Sequence, residues 1–181
     1  MNSFLEKLGS YHIFTNLIPG TFFSLSFYYL FGTPISTGTI GEDVVIYYFI
    51  GFLISRIGSL IVTPVLKMKW GKKKRAFIVY ADYIDYIEAA KLDTKIDTLS
   101  ETNDGFRNLL TCSISLPFIE IIRIIFIEQA YLCVNWRWAI IPFLIVIFLF
   151  AYREQTGHIR KRVKIINEIN AKKENSTKNN M

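Results

Sequence analysis

The sequence predicts an all-α membrane protein: four transmembrane helices, both termini cytoplasmic, a small helical cytoplasmic loop and a basic amphipathic C-terminal helix. Three observations carry this. Apolar residues make up 51% of the 181 positions and mean hydropathy is +0.30, yet the apolar residues gather in long blocks, as expected where lipid is the solvent. Bases follow two of those blocks: Lys67, Lys69, Lys72, Lys73, Lys74 and Arg75, then Arg153, Arg160, Lys161, Arg162 and Lys164. The alternate connections, residues 32–43 and 131–137, carry only Arg137. The net charge of +6 therefore reads first as topology, with both basic segments inside the cell.

A crossing needs about 20 mostly apolar residues. The first is residues 12–31, HIFTNLIPGTFFSLSFYYLF, where Pro19 and Gly20 predict a kink that neighbouring helices must repair. This block is too long for a signal-peptide core and has no small-residue cleavage site, so it is expected to be retained. A Gly/Thr/Pro-rich loop follows. The second span is 44–66, containing Arg56 and ending near a kink at Pro64. The third is 108–130, interrupted by Pro117, Glu120 and Arg123. Its two central charges cost about 5–7 kcal/mol on insertion scales, so a re-entrant or interfacial helix is the rival reading. The fourth is 138–152, entered through Trp136 and Trp138 as an interfacial belt. Two basic segments on one side require an even number of crossings between them, which favours four spans. The chain divides into 1–66, 67–107, 108–152 and 153–181.

Between spans two and three, Tyr80, Tyr83, Ile84 and Ile87 recur at helical spacing, with Asp82, Asp85 and Glu88 on another face. A second short helix is expected from Thr94, with Asp97 in a capping box, ending at Asn103 and Gly105. This hairpin is too small for its own core and must pack on the membrane, on the tail or on another copy. Its acidic face serves either charge balance or docking. In the tail, Ile159, Val163, Ile166 and Ile169 form a stripe flanked by bases. Such a helix lies on anionic lipid or packs on a neighbour, and nucleotide or nucleic-acid binding is the alternative.

Nothing in the sequence calls for an enzyme, a cofactor or a metal. His12 and His158 are the only histidines, and neither a Gly-rich phosphate loop nor a nucleophile elbow is present. Cys112 and Cys133 lie at opposite ends of the third span and are expected to be free thiols. The informative groups are polar residues within apolar blocks: Asn16, Ser55, Arg56, Ser59, Glu120 and Arg123. Glu120 and Arg123, spaced i, i+3, can pair on their own helix, and Glu120 is also the acid within reach of Arg56. One reading is interhelical glue, with Gly51, Ser55, Gly58 and Ser59 allowing close approach. The other is a polar path through a homo-oligomer, lined or gated by Arg56, Glu120 and Arg123.

Three motifs stand out: N-x-x-P-G at Asn16, S-R-x-G-S at Ser55, and D-x-K-I-x-x-L-S-E-x-N-x-x-x-R from Asp93 to Arg107. Over its first two-thirds the chain resembles small bacterial inner-membrane proteins carrying these elements, and more loosely the membrane components of anti-phage defence systems. The resemblance implies a membrane effector triggered by a cytosolic partner or ligand. It directs attention to Asn16, Pro19, Gly20, Arg56, Gly58, Ser59, Asp93, Lys95, Asn103 and Arg107. With Arg160, Lys161, Arg162 and Lys164 of the tail, Asp93, Lys95, Asn103 and Arg107 form the expected cytoplasmic surface for a protein or nucleotide partner. A membrane anchor for a cytosolic enzyme, or a small carrier, are the other expectations.

Overall fold

A computed structural model describes residues 13–70, 75–126 and 136–178. A π-helical turn, Ile13–Leu17, runs into α1 (Ile18–Phe31). Helix α2 (Ile40–Ile57) passes through a second π segment, Gly58–Val62, into α3 (Thr63–Lys67). Two-residue strands β1 (Lys69–Trp70) and β2 (Arg75–Ala76) pair antiparallel, Lys69 with Ala76 and Trp70 with Arg75. Then come α4 (Tyr83–Leu92) and α5 (Lys95–Phe126). A 3₁₀ turn, Trp136–Ala139, leads into α6 (Ile140–Lys178). Among the described residues three helices are long and apolar enough to cross a membrane: Ile40–Lys67, Lys95–Phe126 and Arg137–Lys172. Large apolar side chains on them stand exposed, among them Val45, Leu60, Ile125 and Phe143.

Several expected boundaries move. Asn103 and Gly105 end no helix, because α5 runs on through them, and through Pro117, to Phe126. The fourth span continues unbroken into the tail as one 39-residue helix. The expected break at Pro19 and Gly20 is a change of helix type: Pro19 sits in the first turn of α1, directly after the π turn. Pro64 follows the second π segment at the same spacing, and there the Thr63 N–H reaches back five residues to the Gly58 carbonyl. A proline has no N–H and crowds the carbonyl four residues earlier, so a wider turn just before it relieves both problems. Cys133 lies outside the described residues.

The chain forms two compact units. One comprises described residues of Met1–Val65 and Asp104–Ala151. Its helices meet at glycines: a Cβ on Gly20 would land on the Tyr47 carbonyl, and one on Gly51 on the Asn16 carbonyl. Seven residues further along the same face, a Cβ on Gly58 would lie 2.7 Å from Thr111 Oγ1. Gly51 thus admits the first helix and Gly58 admits α5, the close approach that small residues allow where lipid offers no hydrophobic driving force. Phe22 meets Phe148 edge-on at 6.0 Å, and Phe31 meets Trp138 at 5.7 Å, which brings α6 into the bundle.

The second unit comprises Leu66–Asn103 and the tail from Tyr152. Its core is Ala89, Ile96, Ile159 and Val163, with Tyr86, Leu99 and Ile166 packed around it. Ile159, Val163 and Ile166 of the tail's stripe therefore pack on the hairpin, one of the three destinations the sequence left open for it, while Ile169 is exposed. The side chains that the sequence puts on the hairpin's apolar face behave differently: Tyr83 and Ile84 are exposed, and Ala89 is buried in their stead. Asp82 is the N-cap, accepting from the Ile84 N–H at 3.0 Å, so Tyr83 and Ile84 lie in the first turn of α4. Asp93, rather than a Thr94–Asp97 capping box, accepts the Lys95 N–H at 3.1 Å where α5 begins.

Candidate functional site

The first unit holds a cavity of about 280 Å³ lined by Thr15, Asn16, Tyr48, Phe52, Ser55, Arg56, Ser59, Asp104 and Arg107. Five residues expected from sequence (Asn16, Ser55, Arg56, Ser59 and Arg107) meet here, drawn from three helices. Asn16 is buried on the π turn. Ser59 donates to the Ser55 carbonyl at 3.1 Å, as a helical serine does. The Arg56 guanidinium lies 5.0 Å from the Phe52 ring centroid, a cation–π geometry, and its side chain is exposed. Arg107 comes from α5 and is tied to Asp104 at 2.7 Å, with their side chains 13% and 30% exposed. Its Nη2 also donates to Asn108 Oδ1 at 3.4 Å. Its Nε is buried, with no hydrogen-bond partner among the described residues.

Beneath the cavity lies a layer of buried polar groups. Asn108, Thr111, Cys112 and Ser113 are each at most 1% exposed. Thr111 and Ser113 return their hydroxyls to carbonyls one turn back, those of Arg107 and Leu109. Asn108 instead crosses to the first helix, donating Nδ2 to the Thr15 carbonyl at 2.9 Å. Thr15 is the residue four before Pro19, which has no N–H to return to it, and Asn108 donates to the Thr15 carbonyl. Cys112 Sγ lies 3.3 Å from the Pro19 carbonyl.

Glu120 and Arg123 are elsewhere on α5 and bonded to each other, bidentate at 2.8 Å and 2.8 Å. Arg123 also stands 5.6 Å from the Phe31 ring. The partner of Glu120 is thus Arg123, and the Arg56–Glu120 pair that the sequence offers as an alternative is not formed. Neutralisation on the same helix is what makes two charges tolerable in an apolar stretch.

In the second unit the expected cytoplasmic residues separate. Arg162 donates Nε to Asp93 Oδ2 at 2.6 Å, joining the tail to the start of α5. Asn103 is buried and accepts from Thr156 at 3.1 Å. Both act as struts within the unit. The Lys95 side chain is exposed. Arg160, Lys161 and Lys164 line a surface groove with Arg153, whose guanidinium lies 4.8 Å from the Phe77 ring. Tyr80 and Tyr152 join hydroxyl to hydroxyl at 2.6 Å.

The Arg162 hydrogen bond holds the Asp93 carboxyl below its usual 3.8, with the Lys95 N–H assisting against some desolvation. A lowered carboxylate pKa contributes stability above the unfolded value and loses it as pH falls through the folded one. The tail–hairpin unit is therefore expected to weaken below about pH 3.8. The drop in thermal midpoint between pH 6 and pH 3 should be smaller in Asp93→Asn than in the native chain, and an equal drop would rule this out.

Asp104, Asn108 and Thr15 were missed by sequence reasoning. The i, i+3 spacing of Asp104 and Arg107 is a usable signal, whereas nothing local marks Asn108 as the partner of a carbonyl 93 positions earlier. No family model, curated protein or solved structure matches the chain. What defines its class is the helical fold: among the described residues three apolar helices are long enough to cross a membrane, and a cavity holding Arg56, Asp104 and Arg107 is lined by two of them and by the first helix.

Proposed function

We propose that the chain is an integral inner-membrane protein with four crossings and cytoplasmic termini, acting as a homo-oligomeric effector that changes membrane permeability on a cytosolic signal. Residues 13–31 supply the fourth crossing in this reading: 19 helical residues rise about 28 Å, close to a hydrocarbon core of about 30 Å. The basic segments on one side support the orientation. The observation that carries the functional reading is the cavity holding Arg56, Arg107 and Asp104 inside the unit of apolar helices. Ionisable groups there are costly and are kept where they face water or a pathway. The looser likeness in architecture to membrane components of anti-phage defence systems makes that defence the biological setting to test first.

The test is potassium efflux from bacterial cells expressing the native chain, Arg56→Ala or Arg107→Ala at matched membrane levels. A tenfold or greater change in efflux is expected in Arg56→Ala, whose side chain is exposed and contacts the Phe52 ring. Unchanged efflux in both variants overturns the permeability reading. The exposed Tyr83 and Ile84 favour a second reading, a membrane anchor for a cytosolic enzyme. Under it, partner capture depends on these two residues while efflux never changes.

A further inference from the structure

A groove of about 350 Å³ in the second unit is walled by Ala76, Phe77 and Val79 on one side and by α6 on the other. The helix presents Arg153, Gly157, Arg160, Lys161 and Lys164, spaced i, i+4, i+7, i+8 and i+11, which is one face. No carboxylate is among the described residues that line it. Lys164 also reaches Glu168 at 3.7 Å, an exposed pair that holds the lysine only weakly. The Arg153 guanidinium lies over the Phe77 ring, 4.8 Å from its centroid, and both residues line the groove.

Gly157 shares with Gly105 a helical position where an added Cβ meets nothing within 4 Å, but Gly157 alone of the two lies in a groove lined by cations. A glycine inside a helix costs stability relative to alanine, and is normally explained by a close neighbour or a left-handed backbone. Neither applies: a Cβ at 157 meets nothing within 4 Å, and 157 is not among the positive-φ glycines, Gly32 and Gly38. The missing side chain leaves open the floor of a groove ringed by four cations. Polybasic segments that merely mark topology have no need of such a floor.

We propose that this groove is a binding site for a phosphate group. Two guanidinium groups and two ammonium groups around an open floor supply the charge-assisted donors that phosphate oxygens accept. Two sources share that chemistry. Arg153 directly follows the apolar run of α6, the register of an anionic phospholipid headgroup. A soluble phosphate compound from the cytosol is the other. The proposal does not rest on the permeability reading, since unchanged efflux in Arg56→Ala leaves it intact.

The experiment uses the full chain in neutral detergent, titrated in one arm with short-chain phosphatidylglycerol, with short-chain phosphatidylcholine as the uncharged control. In the other arm it is titrated with inorganic pyrophosphate. Saturable binding is expected in at least one arm, and the arm that saturates identifies the source. Gly157→Leu, which fills the floor without altering charge, should weaken that binding tenfold or more, as should Arg160→Gln with Lys164→Gln. Helix content and elution volume verify the fold, which these exposed or unpacked positions do not hold together. Absence of saturable binding in both arms overturns the proposal. So does unchanged affinity in Gly157→Leu, which would reduce the groove to diffuse surface charge.

Discussion

Alanine in place of Gly51 is expected to prevent the apolar helices of the first unit from assembling, at a cost of about 3 kcal/mol, in the upper range for overpacked interiors. The new Cβ would fall on the Asn16 carbonyl oxygen, 2.6 Å from its carbon and 3.0 Å from the Gly20 nitrogen. These are backbone atoms, so no rotamer change relieves the clash; a whole helix must move. Gly20→Ala should match it, since the obstacle there is the Tyr47 carbonyl, with the Gly51 nitrogen 2.9 Å away. Gly105 provides the contrast. It lies within α5 with nothing within 4 Å of an added Cβ, so Gly105→Ala should gain up to about 1 kcal/mol of helix propensity. Thermal midpoints in detergent for the three variants measure this. Gly51→Ala and Gly105→Ala shifting alike would show that the glycines act through propensity alone.

The same glycines mark the limit of what the sequence discloses. Apolar blocks and bases locate the membrane-length helices because bilayer thickness acts on every residue of a block. Gly51, Ser55, Gly58 and Ser59 are legible as small residues suited to helix contacts, but which helix each one meets depends on three-dimensional placement. The end of the loop's second helix was misplaced at Asn103 and Gly105, residues that stop isolated helices. Packing overrides that preference here, because Asn103 is bonded to Thr156 and α5 continues across it. The cavity was half legible. Polar residues in apolar blocks announce themselves by cost, which identified Asn16, Ser55, Arg56 and Ser59. Glu120 carries the same cost but is paired locally with Arg123, since residues i and i+3 are neighbours on one helix. Periodicity also misjudged Tyr83 and Ile84, since it gives the spacing of a stripe but not which stripe of α4 packs on the tail.

Asn108→Ala is expected to cost about 2 kcal/mol, within the range for stranding one buried polar group. Its amide donates to the Thr15 carbonyl at 2.9 Å, and both residues are buried. Pro19 has no N–H to offer the carbonyl four residues back, and the amide donates at the position where an ordinary helical residue would. The two residues should therefore be coupled. In a Pro19→Ala background the carbonyl regains an N–H four residues on, and Asn108→Ala should cost about 1 kcal/mol less than in the native background. Pro19 and Asn108 are 89 positions apart in sequence, so coupling of this size has no local source. A double-mutant cycle on thermal or denaturant stability of the purified full chain measures it. Additive losses would mean that the bond adds nothing beyond the packing of Asn108. Coupling of the expected sign would explain how a proline is accommodated inside the first helix: the break in its hydrogen bonding is closed by a side chain of α5, which makes the π turn and the bundle conditional on each other.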